Sequence, residues 1–123
     1  MNYLITLLFL VNAFQPTALI SKDCTVLKNN SFTYKIAGKE VLIVFGENNY
    51  IEYHQNKKYF IESDIEWVTD CEYNLTIATS TLPNFPFKQG TVINIVVDKV
   101  KGKKVYYTAT LAGRSWKGKM IRK

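Results

Sequence analysis

The chain lacks most of what catalysis or membrane insertion requires. It has one histidine, His54, in 123 residues, so any triad or Cys–His pair must be built on that residue. No apolar run reaches the roughly 20 residues that a bilayer-spanning helix needs. No segment keeps helical spacing over more than two turns, which argues against a helical or α/β fold. There is no glycine-rich phosphate loop, metal-ligand motif, internal repeat, low-complexity stretch or linker, and hence no cofactor to expect. Acidic residues stop at Asp98, beyond which nine basic residues follow with no acid among them. Between Glu40 and Glu72 the balance is the reverse, with eight acids and only Lys57 and Lys58 as bases.

What the chain does have begins with a leader. Tyr3 to Phe14 is nearly all apolar, about the length of a secretory signal's apolar region, usually about 7–15 residues. Small residues suited to cleavage follow, best at Val11-Asn12-Ala13, with Ala18 and Ser21 as later options. The α-amino group is the only positive charge ahead of this run. Residues 1–18 therefore read as a signal peptide and 22–123 as a single domain that is secreted, periplasmic or held in the cell envelope. Roughly 100 residues then remain, enough for a modest core. Both cysteines lie after the leader, and in an oxidising compartment Cys24 and Cys71 are expected to pair. Closing a loop of that length contributes about 4 kcal/mol in the chain-entropy model.

The mature chain reads as strands. Phe32, Tyr34 and Ile36 fall on one face, and Val41–Phe45 is a short continuous apolar run that suits a buried strand. Tyr50–His54 is another strand. Tyr59–Val68 alternates most clearly, with Tyr59, Ile61, Ser63, Ile65 and Trp67 on one face, which no amphipathic helix allows. Asn74–Thr81 continues as strand with Leu75 and Ile77 inward. Pro83 to Gly90 holds two prolines and is a connecting loop, because each removes a ladder donor. Thr91–Val100, Val105–Leu111 and Arg114–Ile121 complete about seven or eight short strands separated by turns. The pattern predicts an all-β fold, a small antiparallel up-and-down barrel or meander of lipocalin-like character with one disulfide. The order Cys24…Trp67…Cys71 disfavours an immunoglobulin-like sandwich, whose tryptophan lies much nearer the first cysteine.

Candidate sites are few. His54 ends its strand beside Gln55-Asn56 and reads as a solvated turn residue. Asp64, Asp70 or Asp98 would have to orient it toward Ser63, Ser80 or Ser115, and none of those serines sits in a nucleophile turn. Glu62, Asp64 and Glu66 share one strand face at about 6.6 Å intervals, as any solvated face gives. Five Phe, seven Tyr and two Trp follow Ser21; they either fill a small barrel or line a cavity in a wider one. Ser63 is the one polar residue on an otherwise apolar inner face. Together with Tyr107, Arg114, Trp116 and Lys117 of the aromatic and basic C-terminal third, it forms the candidate set for a ligand or anion contact. Trp67 is expected to pack inward, with Tyr73 in the same motif. Asp70 is expected to accept backbone N–H bonds where the chain bends toward Cys71.

At Glu66-Trp67-Val68-Thr69-Asp70-Cys71-Glu72-Tyr73-Asn74-Leu75 the chain resembles a group of small secreted proteins from Bacteroidetes that share a W-x-x-D-C-x-Y-x-L core. Ile51–His54 and Gly118–Ile121 match their flanking strands, so the likeness spans most of the mature chain. Some of that group carry a DNA topoisomerase IV label. Nothing here fits it: the chain has no nucleotide loop, no catalytic tyrosine context and far too few residues. The resemblance implies an exported β-domain and brings no catalytic residues with it.

The functional expectation is a non-catalytic binding module for an apolar or anionic small ligand, or for an envelope or extracellular partner, with nucleic acid disfavoured. The alternative is a structural or interaction domain with no small ligand, and a hydrolase ranks third. Each has a structural signature. A carrier needs an interior cavity of several hundred Å³ with a mouth. An interaction domain needs a filled interior and an exposed apolar patch. An enzyme would bring His54 and acids together in a cleft.

Overall fold

The computed structural model describes residues 23–123. The signal-peptide reading of residues 1–18 and its cleavage positions lie outside the described residues. A short 3₁₀ turn, Cys24–Val26, is capped by the Asp23 carboxylate, which accepts from the Thr25 amide at 3.2 Å. Eight strands follow: β1 (Ser31–Ile36), β2 (Lys39–Phe45), β3 (Asn49–His54), β4 (Tyr59–Thr69), β5 (Glu72–Ser80), β6 (Val92–Lys101), β7 (Lys104–Leu111) and β8 (Arg114–Arg122). Each pairs antiparallel with the next, and β8 returns to β1, giving a closed up-and-down barrel. No helix among the described residues is long and apolar enough to cross a membrane.

The tight hairpins follow from local chemistry. Ala37-Gly38 and Ala112-Gly113 both place two successive residues at positive φ (50° and 78°; 50° and 81°), as the primed two-residue turns demand. Period-two side chains then put Phe32, Ile43, Phe45, Ile65, Tyr73, Leu75, Ile95, Val97, Val105 and Met120 in one buried cluster. Bulges in β5 at Ala78, opposite Glu62/Ser63, in β4 between Trp67 and Thr69, and in β6 between Val97 and Lys99 shift the register locally; such irregularities increase the twist that closure requires.

The two ends of the barrel differ. At one end lie the 46–48, 70–71 and 102–103 turns and the N-terminal segment. Here Phe45 is the hub of an aromatic cluster, with edge-on contacts to Phe32 (5.6 Å), Tyr50 (5.1 Å) and Tyr73 (5.6 Å), and with Trp67 at a tilt 5.0 Å from Tyr73. Leu27 is fully buried in the same cluster. Cys24 and Cys71 are joined in a disulfide whose Cα atoms are 5.2 Å apart, which pins the N-terminal segment across this end. Trp67 packs inward as expected. Asp70 does not cap the bend: the Cys71 amide donates to Thr69 Oγ1 at 3.1 Å instead. The Asp70 carboxylate points outward to Lys28 at 3.5 Å. The shorter threonine side chain reaches its own turn, and the exposed carboxylate finds a cation in the neighbouring segment.

At the other end lie the 37–38, 55–58 and 112–113 turns and the long 81–91 connection. The barrel also closes unevenly. β1 and β8 pair only at Phe32–Arg122 and Thr33–Ile121, extended by the Lys123 amide on the Ser31 carbonyl at 3.0 Å. Toward the second end, Tyr34–Ile36 and Trp116–Met120 have no ladder partner across this seam.

Candidate functional site: a polar-floored cavity at one end of the barrel

A cavity of about 400 Å³ occupies the second end. Its walls are the inward side chains past the aromatic cluster: Ile61 and Ser63 of β4, Leu75 and Ile77 of β5, Ile93 and Ile95 of β6, Tyr107 and Ala109 of β7. It reaches the surface near Ile36 and Trp116, which line it and yet are 54% and 44% exposed. Leu82, Phe85, Pro86 and Phe87 of the 81–91 connection hang over it, the two phenylalanine rings edge-on at 5.4 Å. This connection is anchored at its base, where Gly90 donates to the Ile77 carbonyl at 2.8 Å and Ile77 to the Thr91 carbonyl at 2.9 Å. Between those anchors the two prolines restrict the backbone.

The depth of the cavity is polar. Tyr50, Glu52 and His54 are alternate residues of β3 and all point inward. The Tyr34 hydroxyl donates to Glu52 Oε1 at 2.8 Å, and the Tyr50 hydroxyl to Oε2 at 3.1 Å. His54 Nε2 lies 3.2 Å from Oε1, with side-chain exposures of 11% for His54 and 19% for Glu52. His54 is thus not the solvated turn residue its neighbours suggest. Its strand faces inward with that set, and only the 55–58 turn after it is exposed. In that turn Gln55, Asn56 and Lys57 adopt positive φ in succession (51°, 54°, 68°), a local strain for non-glycine residues.

Four tyrosines surround this carboxylate. Burial pushes the Tyr34 and Tyr50 phenols well above their ordinary range and raises that of Tyr107, and the negative charge of Glu52 adds to it. Tyr73 is raised in the same way, by burial first, then by Tyr107 and Glu52. All four therefore remain O–H donors at neutral pH. Tyr107 lies over Gly118 of β8, its cross-strand partner, where a Cβ would collide with the phenol ring. The bare glycine thus lets the tyrosine lie against the wall, the arrangement seen in glycine–aromatic strand pairs.

Of the residues singled out from sequence, Ser63 (1% exposed), Tyr107 and Trp116 line the cavity. Arg114, at the start of β8, and Lys117 are exposed and do not line it. Lys117 donates to Thr108 Oγ1 at 2.8 Å and pairs with Asp98 at 3.4 Å. Asp64 and Glu66 face solvent. Glu52, Tyr34 and Tyr50 were missed, yet a signal for them exists. The Val41–Phe45 run fixes the inner face of β2, and the short 46–48 turn pairs Phe45 with Tyr50 and Ile43 with Glu52. Residues directly opposite share a face, so that register carries Glu52 inside and leaves Ile51 and Tyr53 on the other face. Among the described residues no group of three or more His, Cys, Asp or Glu is placed to hold a metal ion.

The fold and its interior define a small, singly cross-linked up-and-down β-barrel, packed at one end and hollow at the other. No protein-family model, curated protein or solved structure matches the chain.

Proposed function

We propose that this protein is an exported, non-catalytic carrier that takes a compact, mostly apolar molecule into the hollow end of its barrel. The observation that carries the reading is the cavity itself: about 400 Å³, within the size range of small-molecule sites and built like them, with an apolar lining and a few convergent polar groups. The leader and the disulfide support export, since disulfides persist in oxidising compartments. Anionic ligands fit less well than apolar ones. Among the described residues no lysine or arginine lines the cavity.

The test is titration of the purified protein with a neutral, environment-sensitive dye such as Nile red, with native mass spectrometry for copurifying ligands. Wild type is expected to bind one dye per chain. Ala109→Phe fills the space beside Trp116 and is expected to abolish uptake while the β-type circular dichroism persists. Removing the overhanging rings with Phe85→Ala and Phe87→Ala is expected to speed dye release. Absence of dye uptake by folded wild type would overturn the carrier reading.

The Glu52–His54 pair favours a second reading, acid–base chemistry in the cavity. Two phenols and the imidazole already occupy the carboxylate, so the pair is tied into a holding network. A His54→Gln variant that retains ligand uptake supports the carrier; turnover of a bound compound lost in that variant supports the enzyme.

A further inference from the structure

Resting on that carrier reading, we propose that the occupant bears a basic nitrogen: a compact organic cation whose ammonium group sits at Glu52 while its ring system fills the apolar upper cavity. At interior packing density, about three quarters, the cavity accommodates a body of about 300 Å³, the scale of a two- or three-ring amine rather than a long-chain lipid.

Three observations point the same way. First, among the described residues Glu52 is the only acidic one lining the cavity, and no lysine or arginine offsets it there. A ligand carboxylate would be placed against a like charge. A ligand cation meets the opposite charge in a setting of low dielectric. Second, the floor has acceptors to offer. Glu52 accepts three bonds of the roughly four that a carboxylate can take. The Tyr73 hydroxyl, on a residue 2% exposed, and those of Tyr107 and Ser63 have no hydrogen-bond partner among the described residues. An ammonium with three N–H donors matches one carboxylate lone pair and two of these oxygens. Third, the lining is aromatic. Tyr34, Tyr50, Tyr73 and Tyr107 surround the carboxylate and Trp116 stands at the mouth, and ring faces attract cations. The chain's net charge of +6 does not contradict this. Its excess lies on the outer face of β6–β8, where salt screens it over about 8 Å.

The experiment is displacement of Nile red by three compounds on one indole skeleton: tryptamine, tryptophol and indole-3-propionate. Wild type is expected to release dye to the amine at a concentration at least tenfold lower than to the alcohol or the acid. Glu52→Gln is expected to lose that preference, so that the amine and the alcohol displace dye at similar concentrations. Should Glu52→Gln fail to fold, Tyr73→Phe keeps the test open, with the preference for the amine over the alcohol falling several-fold. Dye bound by wild type but displaced equally by all three, or best by the acid, overturns the cation inference and leaves the carrier standing. A folded wild type that binds no dye overturns both.

Discussion

The two ends of this barrel are built from the same eight strands and come out differently. At the packed end the inward residues are large and interlocked: Phe45 meets Phe32 and Tyr73 edge-on and Trp67 at a tilt, Leu27 is buried in the same cluster, and the disulfide ties down the N-terminal segment. At the hollow end the inward residues are smaller or branched, such as Ile61, Ser63, Ile77, Ile93 and Ala109, and they do not meet across the barrel. In a barrel of eight strands the interior is just wide enough for side chains to fill, so residue volume decides whether a given layer is solid or empty. The comparison teaches that stability and binding are segregated along one axis. The layer between them holds the Glu52 network, whose hydrogen bonds satisfy a carboxylate that would otherwise be costly to bury.

Breaking that middle layer is expected to have the largest effect. The folded-state pKa values of Tyr34, Tyr50, Tyr73 and Tyr107 are raised above the unfolded value, about 10. The unfolded chain therefore loses these protons first. The stability they contribute is fully present below about pH 10 and is lost as pH rises through the folded-state values. Phenolate absorbance and circular dichroism followed together on raising the pH are expected to show the Tyr34, Tyr50 and Tyr73 phenols ionising only as the barrel melts. Their titration near pH 10 in an intact barrel would mean that the layer is open to water.

The packed end comes next. Replacing both Cys24 and Cys71 with serine is expected to cost about 4 kcal/mol. For a domain near 100 residues that lowers Tm by roughly 15–20 °C, read by thermal melting. Dye uptake measured in the cold should persist, because the cavity lies at the other end. A smaller effect compares the two ends directly. Ile43→Ala opens a void in solid packing, whereas Ile77→Ala enlarges a space already present. Both fall in the range of about 2–5 kcal/mol for such truncations, with Ile43→Ala expected to be the costlier by about 1–2 kcal/mol in denaturant melts. Equal costs would mean that the hollow end is as tightly packed as the other.

Much of the architecture was legible because period two is hard to mistake. Tyr59–Val68 names its own inner face, Pro83 and Pro86 mark the one long connection, and the two cysteines after the leader leave a single pairing. The site was less legible. Tyr50-Ile51-Glu52-Tyr53-His54 alternates without saying which face is buried, and the default of apolar side chains inward selects Ile51 and Tyr53. The partner strand overrides that default: Ile43 and Phe45 must be inside, and the register carries Glu52 in opposite Ile43. His54 was misjudged for the same reason, since polar neighbours in a turn say nothing about the face its strand presents. The charge segregation in sequence was real, but it describes outer surfaces. The excess of basic residues after Asp98 decorates the wall and does not enter the cavity.

The most direct test of a barrel solid at one end and receptive at the other is a methyl-resolved NMR titration with a neutral apolar dye. Ile61, Ile77, Ile93 and Leu82 are expected to shift on binding, while Ile43, Val97 and Val105 stay in place. Shifts spread evenly over both groups, or absent from both in the folded protein, would contradict the account.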